Sequence, residues 1–152
     1  MIPWLYKNKY YIIECCYNKI SINNMLDDEC YANLTMNPEG DHCCGYIYND
    51  NYLCASDNNN CIRIWDLVNK VKYKEIKYEG KCGFEIIPWN NKYTILGCEG
   101  GIVIINIEEG KMIKKIKLDN VHVGGVKKMK ISKLGECLIT SDRGGNIRLY
   151  NI

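Results

Sequence analysis

Cysteine and histidine are the residue types in this chain best suited to metal binding or nucleophilic chemistry. The sequence has ten cysteines and two histidines, His42 and His122. Cys15-Cys16 and Cys43-Cys44 are adjacent pairs, the other cysteines stand singly, and no Cys-x-x-Cys spacing occurs. Zinc sites usually draw thiolates from such spacings, and nucleophilic catalysis needs a base held beside the thiol. We therefore expect no metal site, no catalytic Cys–His pair and no cofactor.

Several cysteines stand inside short apolar runs. Cys54, Cys61 and Cys137 lie at positions where other parts of the sequence carry apolar residues. A free cysteine behaves as a small buried hydrophobe, and in a reducing compartment it stays a thiol. We expect these residues to pack in the core.

Acidic and glycine-rich segments give no stronger sign of catalysis. Asp27-Asp28-Glu29 and Glu108-Glu109 lie at predicted turns, where solvated carboxylates are usual. No predicted helix follows Gly100-Gly101 or Gly144-Gly145, so these pairs are hairpin glycines rather than phosphate-binding loops. The sequence predicts a protein that is not an enzyme.

Lysines are concentrated in one segment, and they are the residues that would recognise an acidic ligand. This group consists of Lys111, Lys114, Lys115, Lys117, Lys127, Lys128, Lys130 and Lys133. One interpretation is a solvated strand face. The other is a basic face, on neighbouring strands of two repeats, for an acidic peptide, an anionic membrane or nucleic acid.

The elements that must position these residues form a pattern that occurs four times. Trp4, Tyr48, Trp89 and Ile131 open the four copies, at spacings of 44, 41 and 42 residues. A second apolar run in each copy begins at Ile20, Ile62, Ile102 and Ile147. A period of about 40 to 45 residues is typical of four-stranded propeller blades.

The runs within each copy read as β-strands. They are rich in isoleucine, tyrosine and valine and are bounded by clusters of Asn, Asp and Gly, so the fold class is all-β and antiparallel. Lys70–Lys77 and Lys111–Lys117 alternate lysine with apolar residues, which predicts outer, half-solvated edge strands. Trp4, Tyr48 and Trp89 either line a peptide site or, as their equivalent positions favour, pack between repeats.

Two segments resemble the closing signature of WD repeats, which are β-propeller proteins. The segment from Ser56 ends in Trp65-Asp66, and the segment from Ser141 ends in Tyr150-Asn151. His122 stands four residues before Val126, as the histidine of the family's Gly-His pair does.

The resemblance assigns structural roles rather than a chemical site. It implies repeat-signature roles for Trp65, Asp66, His122, Ser141 and Tyr150. The aspartate that the family places six residues before the tryptophan is replaced by Asn59 in one copy and Gly144 in another. The third copy ends in Ile105-Asn106.

The repeat boundaries predict blades at 1–37, 38–78, 79–119 and 120–152. We expect the first copy to have room only for the tail of its innermost strand and the fourth copy to lack its outer strand. The result is an arc of about 3.5 blades. Family precedent favours a ring of seven blades, completed by further sequence, by a second copy or by another protein.

Net charge and hydrophobicity indicate which classes of partner are expected, but they identify no particular partner. The formal net charge is +2, so no strong field draws the chain to nucleic acid, and no apolar run reaches membrane-spanning length. A cytoplasmic location is expected, with a nuclear one left open. The predicted function is a non-enzymatic scaffold that binds other proteins. The alternatives are a regulatory or targeting propeller of a larger enzyme and anion, phosphoinositide or nucleic-acid binding through the lysine-rich segment.

Overall fold

The computed structural model describes residues 1–16, 19–27, 29–35, 44–57, 59–118 and 124–152. These residues form β-strands joined by turns, and none of them lies in a helix. The strands are β1 (Ile2–Tyr6), β2 (Lys9–Cys16), β3 (Lys19–Asn24), β4 (Cys30–Thr35), β5 (Cys44–Tyr48), β6 (Tyr52–Ser56), β7 (Cys61–Asp66), β8 (Val71–Lys77), β9 (Lys81–Pro88), β10 (Tyr93–Glu99), β11 (Gly101–Asn106), β12 (Lys111–Lys117), β13 (Lys128–Ile131), β14 (Cys137–Ser141) and β15 (Ile147–Asn151).

The strands form four antiparallel sheets in chain order. Sheet 1 is β1 to β4, sheet 2 is β5 to β8, sheet 3 is β9 to β12, and sheet 4 is β13 to β15. Within each sheet, every strand pairs with the strand that precedes or follows it in sequence, as short turns allow. In sheets 1 and 2, the hairpin between the first and second strands turns through two consecutive residues with positive φ, Lys7-Asn8 and Asn49-Asp50. This conformation matches the twist of the flanking strands.

The same register recurs from sheet to sheet. Within their sheets, Trp65 pairs with Leu53 and Tyr150 pairs with Leu138. In each four-stranded sheet, the pairing of the third and fourth strands is interrupted at the same place. The interruptions fall between Ile22 and Asn23, between Ile64 and Trp65, and between Ile104 and Ile105. A bulge conserved at one register position adds local twist and shows that the repeats are equivalent in three dimensions.

The core consists of three layers, each shared by two successive sheets. Trp4 and Ile22 of sheet 1 pack with Leu53 and Trp65 of sheet 2. The second layer joins sheets 2 and 3, and the third joins sheets 3 and 4. Because side chains alternate along a strand, each inner sheet has one face toward the sheet before it and one toward the sheet after it. We call these the preceding face and the following face.

The first strands of successive sheets lie against one another. β1 contacts β5, β5 contacts β9, and β9 contacts β13. The outer strand β8 of sheet 2 also approaches the outer strand β12 of sheet 3. Face-to-face stacking with the first strands grouped together is consistent with a β-propeller-like fold.

The strand count corrects one prediction and confirms two. Sheet 1 contains a complete first strand, β1, so the expectation of a mere tail in the first copy is wrong; five residues of the chain suffice for this strand. Sheet 4 has three strands, as predicted. The lysine-rich runs at Lys70–Lys77 and Lys111–Lys117 form β8 and β12, which are edge strands as predicted.

One of the four opening residues is placed one position away from the expected register. Trp4, Tyr48 and Trp89 all pack on the following face of their sheets. Ile131 pairs with Leu138 and packs against sheet 3 instead. Because a shift of one residue reverses the side-chain direction in a strand, Ser132 rather than Ile131 is equivalent to Tyr48.

Candidate functional site

The repeat-signature residues of sheet 2 support the sheet itself. Trp65 is buried in the layer between sheets 1 and 2. The Asp66 carboxylate accepts hydrogen bonds from the backbone N–H of Asn69 at 2.9 Å and of Val68 at 3.0 Å, which closes the turn before β8. These bonds, the Asn69 contact first, hold the pKa of Asp66 below its usual value. Both residues therefore have a structural role.

The signature residues of sheet 4 are also built into the sheet. Tyr150 packs against the layer shared with sheet 3, at the register position of Trp65. Ser141 pairs with Lys128 and Ile147, and its carbonyl accepts the backbone N–H of Lys127 at 2.8 Å. His122 and His42 lie outside the described residues. Trp65, Asp66, Ser141 and Tyr150 thus belong to two separate sheets and do not form one site.

A buried charge network in sheet 2 was missed by sequence reasoning. Asp57 accepts the backbone N–H of Asn59 at 2.9 Å and of Cys61 at 3.1 Å, and it forms an ion pair with the guanidinium of Arg63. Arg63 is only 4% exposed, and its Nε also donates to Glu75 at 3.1 Å. The family resemblance places an aspartate at position 59, where this chain has asparagine, and the buried carboxylate is two residues earlier. The recurring pair Ser-Asp, which stands at Ser141-Asp142 in sheet 4 as well, was the available signal.

Two of the described cysteines, Cys44 and Cys54, lie in surroundings that keep their thiols protonated. Cys54 is fully buried, and this burial raises the pKa of its thiol to about 12. Burial also raises the pKa of Cys44, whose sulfur lies 2.9 Å from the Ser56 hydroxyl. A thiol with a raised pKa stays protonated, and the thiolate is the reactive form. The prediction that Cys54 and Cys61 are core residues is confirmed, and Cys137 is half-buried.

The lysines of the 111–133 segment do not form one face. Lys111 to Lys117 lie on β12, the outer edge of sheet 3, whereas Lys128 and Lys130 lie on β13, the first strand of sheet 4. The first strand of sheet 3, β9, is the strand that β13 contacts. Strand order places the two groups at opposite ends of their sheets, which favours the interpretation of solvated strand faces over the alternative of one basic face.

A cavity of about 340 Å³ lies where the first strands of all four sheets meet. Its walls include Ile2, Cys44, Glu85 and Lys128, one from each sheet. Lys128 Nζ lies 3.1 Å from Glu85 Oε1, and the other carboxylate oxygen accepts the backbone N–H of Met129. The charged groups of the wall thus satisfy each other across sheets 3 and 4.

A second cavity, of about 300 Å³, lies between sheets 2 and 3 at the turn end. Tyr48, Tyr52 and Tyr73 line it, and the ammonium group of Lys74 donates to the carbonyl of Glu108 at 2.8 Å. This contact joins the two sheets at their outer edges.

The following face of sheet 4 exposes apolar residues at positions whose equivalents in sheet 2 are buried. Ile147 is 66% exposed and Leu149 is 69% exposed. Their register equivalents in sheet 2, Ile62 and Ile64, are buried against sheet 3. Ile139, equivalent to Cys54, is half-buried on the same face. Sheet 4 therefore presents to solvent the same kind of surface that sheets 2 and 3 bury.

Within the described ranges, His, Cys, Asp and Glu side chains do not come together in threes as a metal site requires. In the same ranges there is no helix long and apolar enough to cross a membrane.

Two solved structures are similar to nearly the whole chain. The computationally designed Ika4 protein has a TM-score of 0.72 at 10% sequence identity, covering 99% of this chain and 89% of its own. Hydrazine synthase of Kuenenia stuttgartiensis has a TM-score of 0.77 at 14% identity, covering 99% of this chain and 45% of its own. Identities this low show the fold alone. No protein-family model and no curated protein matches this sequence.

Proposed function

We propose that this chain is a non-enzymatic interaction subunit. Its sheets act as blades of a WD-repeat-like β-propeller, and the following face of sheet 4 binds another protein. The observation that carries this proposal is the exposure of Ile147 and Leu149 at positions whose equivalents Ile62 and Ile64 are core residues.

The energetics of this face favour a bound state. Fully burying an aliphatic side chain of this size contributes about 1.5 to 3 kcal/mol relative to leaving it in water. A contiguous apolar patch at a sheet face is characteristic of an interaction site, whereas single exposed apolar residues are ordinary. Ile139, Ile147 and Leu149 share one face, so they form a patch of the first kind.

The chemistry of the described interior supports a binding function over catalysis. The thiols of Cys44 and Cys54 have raised pKa values, and the carboxylates of Asp57 and Glu85 are paired with Arg63 and Lys128. A protonated thiol is a poor nucleophile, and a carboxylate held in an ion pair is already engaged in a structural contact.

Native mass spectrometry of the protein isolated from its own cells tests the proposal. The single chain has a mass of 17.6 kDa, and we expect the wild type to occur at a higher mass, within an assembly. Leu149→Arg places a charge in the patch and is expected to return the chain to its single mass.

The matched control is Leu134→Arg, which changes a leucine that is 82% exposed in the turn between β13 and β14. This variant is expected to keep the wild-type mass. A wild type that occurs only as a single chain, or a loss of assembly in both variants alike, contradicts the proposed function.

A further inference from the structure

We propose that the partner on sheet 4 is a second copy of this chain, which binds through the preceding face of its sheet 1. Two chains then form a closed ring of eight sheets. This inference rests on the proposed function and identifies the occupant of the same face.

The three interfaces inside the chain determine which surfaces fit each other. In every case, the following face of one sheet packs against the preceding face of the next. Among the residues that the structure describes, no sheet covers the following face of sheet 4 or the preceding face of sheet 1, where Leu149 and Tyr10 are more than half exposed. One is a following face and the other is a preceding face, so they can pack against each other as the corresponding faces do inside the chain. Contacts between unlike faces produce a closed ring when the rotation that relates the copies adds up to a full turn. Two copies related by a twofold axis cover all four free faces.

The preceding face of sheet 1 has the composition of an interface between separately folded chains. Leu5 and Tyr10 are more than half exposed, and Ile12 occupies the position of Leu53 and Thr94. Asn23, however, occupies the position of Trp65. Interfaces between independent chains combine apolar and polar side chains in this way, whereas obligate cores are more apolar.

A specific charge pair follows from the repeated register. Across the interface of sheets 2 and 3, the side chain of Tyr46 on the following face of sheet 2 lies near that of Thr94 on the preceding face of sheet 3. Lys130 of sheet 4 occupies the position of Tyr46, and Ile12 of sheet 1 occupies that of Thr94.

Glu14 follows Ile12 by two residues and lies on the same face of β2. A second copy in the place of a following sheet therefore brings the carboxylate of Glu14 within reach of the ammonium group of Lys130. Lys19 is on this face too, at the start of β3, next to Cys16. Reversing the charges of the Glu14–Lys130 pair alone separates its contribution from that of Lys19.

The number of sheets fits a closed ring. The chain has four sheets, and known propellers close with about four to eight blades. Two copies provide eight sheets, rather than the seven expected from 3.5 repeats per chain.

Charge reversal with the purified full chain tests the inference. By light scattering we expect the wild type at twice 17.6 kDa. Lys130→Glu and Glu14→Lys each place like charges in both interfaces. The dimer of each variant is therefore expected to dissociate at a protein concentration at least about tenfold higher than that at which the wild-type dimer dissociates.

Mixing the two variants is the decisive step. In the mixed dimer, one interface pairs Glu at 130 with Lys at 14, and the other keeps the original Lys130 and Glu14. Mixing is therefore expected to restore the dimer from two monomeric samples. Restoration also shows that both variants are folded.

The outcomes separate this inference from the proposed function. A wild type that is monomeric when purified but assembled with a different chain in its own cells overturns the second copy and leaves the proposed function intact. A dimer that neither charge reversal affects, or variants that stay monomeric when mixed, also overturns it. A chain that is monomeric both in cells and when purified overturns both proposals.

Discussion

Ile64 and Leu149 occupy the same register position in the third strands of their sheets, yet 1% of Ile64 and 69% of Leu149 is exposed. The difference arises from the neighbourhood and not from the strand, because sheet 3 covers Ile64 and no described residue covers Leu149 in the same way. The repeats are equivalent in backbone pairing and unequal in burial. This inequality separates residues that stabilise the fold from residues available for binding.

Truncating the two members of this pair is expected to have unequal effects. Ile64→Ala leaves a cavity between sheets 2 and 3 and should lower the free energy of unfolding by about 2 to 5 kcal/mol. Leu149→Ala removes an exposed side chain and should change it by less than about 0.5 kcal/mol. Urea denaturation at a protein concentration that gives the single-chain mass measures both. Equal losses would contradict the burial assigned to the two faces.

Arg63 is expected to be required for stability because it neutralises the buried Asp57. Arg63→Ala leaves that carboxylate without its cation and should lower the free energy of unfolding by about 3 to 5 kcal/mol. Arg148, at the equivalent position of sheet 4, is exposed, and Arg148→Ala should cost less than about 0.5 kcal/mol. Thermal and urea unfolding of the two variants provide the comparison. A small effect at Arg63 would show that water reaches the network.

The turn closed by Asp66 should make stability depend on pH. The pKa of this carboxyl is lowered from 3.8 by hydrogen bonds from Asn69 first and Val68 next. When folding lowers the pKa of a carboxyl group, its charged form stabilises the folded state. This stabilisation is fully present at pH values above the pKa of the unfolded chain, and it is lost as the pH falls through the pKa of the folded protein.

Asp66→Asn keeps an oxygen acceptor and removes the charge. The wild type should exceed this variant in unfolding free energy at neutral pH, and the difference should shrink below about pH 3.8. Urea titrations at several pH values measure this, and a difference that is constant with pH would contradict the assignment.

Thiol alkylation should follow burial. Desolvation raises the pKa of Cys54 to about 12, so its thiol stays protonated at pH 8. Cys30 is exposed and should be modified first by iodoacetamide, whereas Cys54 should resist until the protein unfolds. Mass spectrometry of peptides after timed alkylation measures the order. Early modification of Cys54 in the folded protein would contradict its burial.

The strands are predictable from the sequence because they depend on local chemistry. The isoleucines at 62, 102 and 147 begin equivalent parts of β7, β11 and β15, and the lysine runs form edge strands, as alternation and turn residues indicated. The third-strand tryptophan and tyrosine, Trp65 and Tyr150, also fall on one register position.

Relationships that depend on strand order and register are not predictable in the same way. The lysines on β12 and β13 are close in sequence, but β12 is the outer strand of sheet 3 and β13 is the first strand of sheet 4. Ile131 was assigned the wrong face because the loop of its hairpin has a different length, and one residue reverses a strand. Asp57 was missed because its partner Arg63 stands on the next strand, where only register brings them together.

The three separate core layers have a consequence for how such a protein changes over generations. Each layer depends on two adjoining sheets, so energetic coupling decays along the chain as it does in a linear array. Gain or loss of one repeat by gene duplication or deletion would alter the ends and leave the remaining layers in place. Overall length is therefore a variable that evolution can adjust without redesigning any single unit.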